Sequence, residues 1–100
     1  MATLAIIYWR DIPSQVIVKR GRDAAKRPLA ERFEKAIDRA AMRANLRDTD
    51  SYLAEWRRAA PVEVTDALQE EADKKAAELE AAFDDAKLKA LVEAGGVEAK

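Results

Sequence analysis

The chain has 100 residues, the size of one small domain, and 49% of them are apolar, although 22 of those are alanine. It contains no cysteine and no histidine, which excludes disulfides, thiolate metal centres and imidazole catalysis by this chain. The net charge of −1 hides an asymmetry: residues 1–47 carry 11 Lys and Arg against 5 Asp and Glu, and residues 48–100 carry 7 against 14.

The number and distribution of apolar residues predict where the protein is located and whether it associates with other chains. No run approaches the ~20 apolar residues of a membrane span, and the first residues lack the basic and apolar regions of a signal peptide. We therefore expect a soluble, cytoplasmic protein. Only 27 apolar residues are larger than alanine, so the core is lean, and binding to a protein partner or formation of a homodimer would supplement its stability.

The first elements form a predicted hairpin. Residues 4–10 are apolar at nearly every position, which is typical of a central strand covered on both faces. Residues 15–20 predict a second, more one-sided strand. Between them, Asp11, Pro13 and Ser14 are typical turn residues, so we expect the two strands to pair antiparallel.

Two helices are predicted next. Pro28 suits the first turn of a helix that runs to about Asn45. Its apolar residues recur at helical spacing: Leu29, Phe33, Ile37, Ala40, Ala41 and Ala44. Asp48 or Thr49 can cap a second helix that ends at Pro61 and carries Tyr52, Leu53 and Trp56 on one face. We expect Phe33, Ile37 and Leu53 to share one core with Ile6.

The last third predicts a short strand and two helices. Residues 62–64 form an edge strand beside the central one. Thr65 caps a long helix, Asp84 and Asp85 break it and start a last short helix, and Gly95-Gly96 ends that helix. The predicted fold is therefore α+β, a three-stranded antiparallel sheet packed by three to four helices in the order β-β-α-α-β-α(-α). Residues 1–94 form a single domain, and residues 95–100 form a flexible tail.

Three segments carry a resemblance to a known family. They are IIYWRDIP at 6–13, ERFEKAIDRAA at 31–41 and DTDSYLAEWRR at 48–58. Together they resemble a small bacterial family labelled the virulence factor domain, which is similar to the C-terminal module of conserved virulence factor C type proteins. The resemblance spans roughly residues 4–64, and the final helix looks less family-like.

The resemblance implies an accessory role. Related modules are fused to an iron–sulfur scaffold-like domain and helical repeats, and stand-alone copies in proteobacteria sit beside corrinoid and folate-linked one-carbon genes. The resemblance implies no catalytic residues. This chain lacks the cysteines of an Fe–S carrier, so such a role would fall to a partner.

The first candidate interface is the predicted turn with the cations near it in sequence. An aromatic plane beside guanidinium groups suits an acidic partner segment. This predicted partner-binding site comprises Trp9, Arg10, Asp11, Pro13, Arg22, Lys26 and Arg27. The alternative is that Trp9 belongs to the core and Arg10 pairs with Asp11 or Glu63.

A second candidate interface lies on the second predicted helix. Tyr52 and Trp56 are one turn apart and Arg57 follows, and these residue types dominate interface hot spots. The alternative is that the two aromatic rings are core.

A basic stripe follows the first predicted helix at Arg32, Lys35, Arg39 and Arg43. With the other cations of the N-terminal half, it is the best candidate for contact with phosphate or nucleic acid. The alternative is a solvated face on which Glu31 pairs with Lys35.

We expect no catalytic, metal or cofactor site. The carboxylate pairs lack a partner that would separate their pKa values, and nothing gives them metal-binding spacing. The sequence therefore predicts a non-catalytic, protein-binding accessory or adaptor module, and the family resemblance implies that it serves a one-carbon or metallocofactor enzyme. The alternative, ranked second, is a nucleic-acid or phosphate-binding protein that uses the basic N-terminal half.

Overall fold

The computed structural model describes residues 2–45 and 49–97. Three strands come first: β1 (Ala2–Trp9), β2 (Ile12–Arg20) and β3 (Asp23–Pro28). Helices α1 (Glu31–Arg43) and α2 (Thr49–Leu53) follow, then two short strands, β4 (Trp56–Arg58) and β5 (Val62–Val64). Helices α3 (Leu68–Ala82) and α4 (Asp85–Glu93) complete the α+β fold.

Strand β1 is the centre of an antiparallel sheet, as predicted. It pairs with β2 along one edge, while its other edge pairs with β5 over Ala2–Leu4 and with β4 over Ile7–Trp9. The outer neighbour of β2 is β3. The predicted central strand between residues 15–20 and residues 62–64 is confirmed, although Leu4 is the one residue of the predicted range 4–10 that pairs with 62–64 among the described residues. The predicted number of strands is wrong, since the described residues form five.

The first added strand is β3. It pairs with β2 from Arg20↔Asp23 to Gln15↔Pro28, after a tight turn in which Gly21 has φ +59°. Pro28 therefore ends a strand instead of starting a helix, and α1 begins three residues later. An edge strand tolerates proline at a position where the backbone nitrogen points away from the sheet, because no hydrogen bond between strands is lost there.

The second added strand is β4. Helix α2 ends at Leu53, so Trp56 lies on a strand beside β1 and does not continue the helix. Leu53 is 54% exposed, and its predicted place in the core is wrong. Of the two predicted caps, Thr49 is the first residue of α2 and Asp48 lies outside the described residues.

The core lies between one face of the sheet and helices α1, α3 and α4. The sheet contributes Leu4, Val16 and Val18, and the helices contribute Phe33 and Ile37 among others. Both helical residues are almost fully buried, so their predicted core position is confirmed.

The alternation of β1 changes near its end. Ile6 packs at the margin of the core, whereas Ile7 and Tyr8 do not join it and Trp9 does. The register with β2 shifts between Ile7 and Tyr8, so Ser14 is an extra residue on β2. Such a bulge re-aims side chains and strengthens the local twist.

The N-terminal starts of α3 and α4 test the predicted caps. Asp84 caps α4, since its Oδ1 accepts a hydrogen bond of 2.9 Å from the Lys87 N–H. The residue that precedes α3 is Ala67, and Thr65 lies two residues before it. The Thr65 hydroxyl accepts a hydrogen bond of 3.4 Å from the Ala67 N–H and none from the first turn of α3, so Thr65 does not cap that helix. No helix within the described residues is long and apolar enough to cross a membrane.

Candidate functional site

Trp9, the most prominent residue of the predicted turn site, is completely buried. Its indole Nε1–H donates a hydrogen bond of 3.0 Å to the Tyr52 carbonyl, and its ring centroid lies 5.7 Å from that of Tyr52. Buried tryptophans satisfy their single donor in this way. The indole therefore offers no surface to a partner. Trp9 belongs to the core, which is the alternative given in the sequence analysis.

Arg10 ties the turn to distant parts of the chain. Its φ of 52° is a left-handed conformation, which is uncommon for a residue with a side chain. Its guanidinium donates hydrogen bonds to the Gly95 carbonyl (2.9 Å) and to Glu55 Oε1 (3.3 Å). The carboxylate partner is thus Glu55, and neither of the two predicted partners, Asp11 and Glu63.

The exposed part of the turn is a cation–carboxylate pair. Pro13 is buried, but Asp11 lies 3.4 Å from the guanidinium of Arg57. Arg57 also donates to the Arg10 carbonyl (2.9 Å) and lies 4.4 Å above the ring of Tyr8. About half of the Arg57 side chain remains exposed.

The three other predicted cations do not gather at this turn. Arg22 is in the β2–β3 turn, at the opposite end of the nine-residue strand β2, which places it roughly 25 Å away at 3.3 Å per residue. Lys26 lies midway along β3, opposite Ile17. Arg27 is turned toward α3, where it lies 3.4 Å from Asp73 and 3.9 Å from Glu80.

The second predicted interface is half-buried. The rings of Tyr52 and Trp56 meet edge to face at 6.1 Å, and both pack against the core. Burial, followed by the charges of Asp38 and Glu34, raises the pKa of the Tyr52 phenol. Arg57, predicted to belong to this surface, instead completes the turn.

The basic stripe of α1 is divided between internal contacts and solvent. Arg32 donates to the carbonyls of Glu80 and Phe83, and Lys35 pairs with Glu31 at 3.6 Å. These two cations are therefore engaged within the protein. Arg39 and Arg43 are exposed.

Sequence reasoning missed the sheet face opposite the core. Ala5 and Ile17 pair across β1 and β2 and are only 5% and 9% exposed, yet they are not part of the core cluster. We call this surface the open sheet face and define it by Ala5, Ile17, Lys19, Lys26 and Arg58. The available signal was Ile17, which interrupts the polar side of β2.

The open sheet face combines an apolar centre with cations. Lys19 and Arg58 line a shallow hollow of about 130 Å³ over Ala5 and Ile17, and Lys26 is paired with Ile17 from the other side. Long aliphatic stems cover apolar neighbours while their charged ends stay in water, which accounts for the low exposure of the centre. In the described parts of the chain, no carboxylate lies within 4.0 Å of these three cations.

Helices α3 and α4 carry seven of the 19 carboxylate side chains of the sequence. Among residues 2–45 and 49–97, no three of them cluster as a cation site would require.

Comparison with known proteins identifies the family. A family model described as virulence factor matches residues 7–92, from the central strand through most of α4. The match therefore extends beyond the predicted limit at residue 64 and includes the final helices. Comparisons with curated proteins and with solved structures give no match. The chain belongs to the virulence factor family.

Proposed function

We propose that this protein is a non-catalytic, protein-binding accessory module, and that its open sheet face binds an acidic surface of the partner. One observation carries the proposal: Ala5 and Ile17 form an apolar centre ringed by Lys19, Lys26 and Arg58. Within the described ranges, the helices pack on the other side of the sheet.

The charge of the face determines the class of partner. Cations around an apolar centre are complementary to carboxylates around an apolar contact, and such complementarity speeds encounter and selects partners. A two-fold homodimer through this face would bring Lys19, Lys26 and Arg58 toward their own copies, with like-charge repulsion. A different, acidic protein is therefore a better occupant than a second copy.

The turn offers a further exposed contact, which is next to Arg58 along β4. Arg57 precedes Arg58 on β4 and stays half-exposed beside Asp11. We include this pair in the proposed contact, while Trp9 and Pro13 position it from the core. The fixed turn would lose little conformational entropy on docking.

The family resemblance directs the choice of partners to be tested. Its association with corrinoid and folate-linked genes makes a one-carbon or metallocofactor enzyme the first candidate. In such a pair the enzyme would supply the metal ligands and the chemistry.

The test compares variants of the open sheet face with a control on the far side of the molecule. The double variant Lys26→Gln/Arg58→Gln removes two cations of the face, and Arg39→Gln removes one exposed cation from α1. Proteins captured from the native host by the unmodified chain are identified, purified and titrated against all three forms by calorimetry. We expect the double variant to weaken binding at least tenfold, about 1.4 kcal/mol, and Arg39→Gln to leave it unchanged.

Equal affinity of the double variant and the unmodified chain for the purified partner would refute the proposed face. Nuclease treatment distinguishes the other class of partner. Capture that disappears with nuclease, and binding of purified single-stranded RNA that falls steeply with salt, would assign the face to nucleic acid instead.

A further inference from the structure

A second surface lies between α1 and α4, on the opposite side of the sheet. The two helices run side by side in the same direction. Near their starts Arg32 lies 3.7 Å from Asp85, and near their ends the Cβ of Ala44 lies 3.4 Å from the position a Cβ on Gly95 would occupy. Parallel neighbours leave a continuous groove along their contact.

Helical spacing places one stripe of each helix along this groove. Ala36, Leu88 and Val92 form an apolar floor, and the first two are only 5% and 4% exposed. Arg32, Arg39 and Lys89 contribute cationic walls, and Asp85, which pairs with Arg32, also lines the groove. We call this the α1–α4 groove; its volume is about 300 Å³.

The three cations of the groove differ in their partners. Arg32 is held by the carbonyls of Glu80 and Phe83 and by its pair with Asp85. For Arg39 and Lys89, by contrast, no carboxylate of the described residues lies within 4.0 Å. Two cations therefore border the groove without a carboxylate of the described residues at ion-pair distance, and the one carboxylate of the lining, Asp85, is paired with Arg32.

We propose that the α1–α4 groove binds a small organic anion, a carboxylate with a short apolar tail. The carboxylate lies between Arg39 and Lys89, where charge-assisted hydrogen bonds are available, and the tail lies on Leu88 and Val92. The volume is at the lower end of the range of about 300–1,000 Å³ for ligand pockets, and the mixed lining is typical of them. This site is independent of the open sheet face.

The apolar tail distinguishes the proposed carboxylate ligand from other anions. Inorganic phosphate and acetate satisfy the cations but place no alkyl chain against Val92, the floor residue that is partly exposed. Each methylene placed on the floor gains transfer free energy, so a longer carboxylate should bind more tightly.

The experiment titrates isotope-labelled protein with hexanoate, acetate and inorganic phosphate at constant ionic strength. The methyl resonances of Leu88 and Val92 are followed by NMR. We expect saturable shifts of these methyl groups, with hexanoate bound about tenfold more tightly than acetate or phosphate. Arg39→Gln and Lys89→Gln should each weaken hexanoate binding about tenfold.

Two controls keep the result interpretable. Lys26→Gln lies on the open sheet face and should leave hexanoate binding unchanged, while Arg39→Lys should restore most of the affinity lost in Arg39→Gln. The absence of saturable shifts in Leu88 and Val92 would overturn the proposal. So would equal binding of the three anions, tighter binding of phosphate, or a loss in Lys26→Gln that equals the loss in Arg39→Gln.

Discussion

The guanidinium of Arg10 donates a hydrogen bond of 2.9 Å to the carbonyl of Gly95, which joins the turn after the first strand to the end of the last helix. The adjacent backbone strengthens this connection, because the Asp11 N–H donates to the Gly96 carbonyl at 2.8 Å. The most distinctive motif of the family resemblance thus has an architectural role in this protein. It holds the two ends of the domain together.

Arg10 combines a useful side chain with a strained backbone, and two substitutions separate the two effects. Arg10→Ala loses the bonds to Gly95 and Glu55 and keeps the left-handed φ of 52°. Arg10→Gly loses the same bonds but relieves the strain. We expect urea unfolding to show that the alanine variant is less stable than the glycine variant by about 1 kcal/mol. Equal stabilities would show that the left-handed conformation carries no strain.

Gly96 cannot be replaced without moving Trp9. A Cβ at Gly96 would lie 2.7 Å from Cζ3 of the buried indole, and φ is +95° there. We expect Gly96→Ala to lower the free energy of unfolding by at least about 2 kcal/mol.

Gly21 provides the matched control for that variant. It also has a positive φ, +59°, but a Cβ added there would meet no atom of the described residues within 4 Å beyond its chain neighbours. Only backbone strain therefore opposes Gly21→Ala, and the loss should be about 1 kcal/mol. Similar losses at both glycines would contradict tight packing against Trp9.

The sequence predicts one core for Ile37 and Leu53, and the structure separates them. Ile37 is 3% exposed and Leu53 is 54% exposed. Ile37→Ala should therefore destabilise by about 2–5 kcal/mol, and Leu53→Ala by less than about 0.5 kcal/mol. Thermal and urea unfolding of the two variants test this order, and a larger loss for Leu53→Ala would refute the packing described above.

Asp84 satisfies the start of α4 through its bond to the Lys87 N–H. Asp84→Ala should lower stability by about 1 kcal/mol, whereas Asp84→Asn keeps an acceptor oxygen and should lose only a few tenths. Chemical unfolding of both variants provides the measurement. If asparagine were as damaging as alanine, the cap would not explain the effect.

The raised pKa of Tyr52 predicts a loss of stability at high pH. Burial is the main cause, and the charges of Asp38 and Glu34 add to it. Because the folded state favours the neutral phenol, this contribution is complete below the unfolded pKa of about 10 and is lost as pH rises through the folded value. The unmodified protein should therefore lose more stability above about pH 10 than Tyr52→Phe does, as measured by urea unfolding across that range. Parallel pH profiles would contradict a raised pKa.

The central hairpin was predictable because its sequence carries strong local signals. Residues 4–10 are apolar on both faces, and Asp11, Pro13 and Ser14 are turn residues. β3 lacked such a signal: the segment Asp23–Pro28 contains no β-branched or aromatic residue. It is a strand because β2 offers it a ladder, and tertiary pairing of this kind overrides propensity.

The chain after Tyr52 is a second segment whose structure is decided by tertiary pairing and not by local sequence. Tyr52 and Trp56 have helical spacing, but their rings meet across the end of a helix and the start of a strand. The spacing is therefore compatible with either structure, and only the free edge of β1 decides between them.

The predicted site failed for a geometric reason. Arg22, Lys26 and Arg27 are close in sequence, but successive strand residues point to opposite faces and a strand separates its ends by tens of ångströms. Lys26 thus lies on the open sheet face, Arg27 contacts α3, and Arg22 is at the far turn. Conversely, Ala5 and Ile17 are distant in sequence and meet only through the strand register.

The bond between Arg10 and Gly95 also affects how the protein is made. The β1–β2 hairpin leaves the ribosome before α4, and its contacts are local enough to form early. Gly95, the partner of Arg10, is synthesised 85 residues later, about 4 to 17 seconds at typical rates of translation. During that interval the indole of Trp9 lacks the part of its cover that Gly96 supplies, so we expect the nascent chain to be more prone to aggregation until the residues after α4 are synthesised.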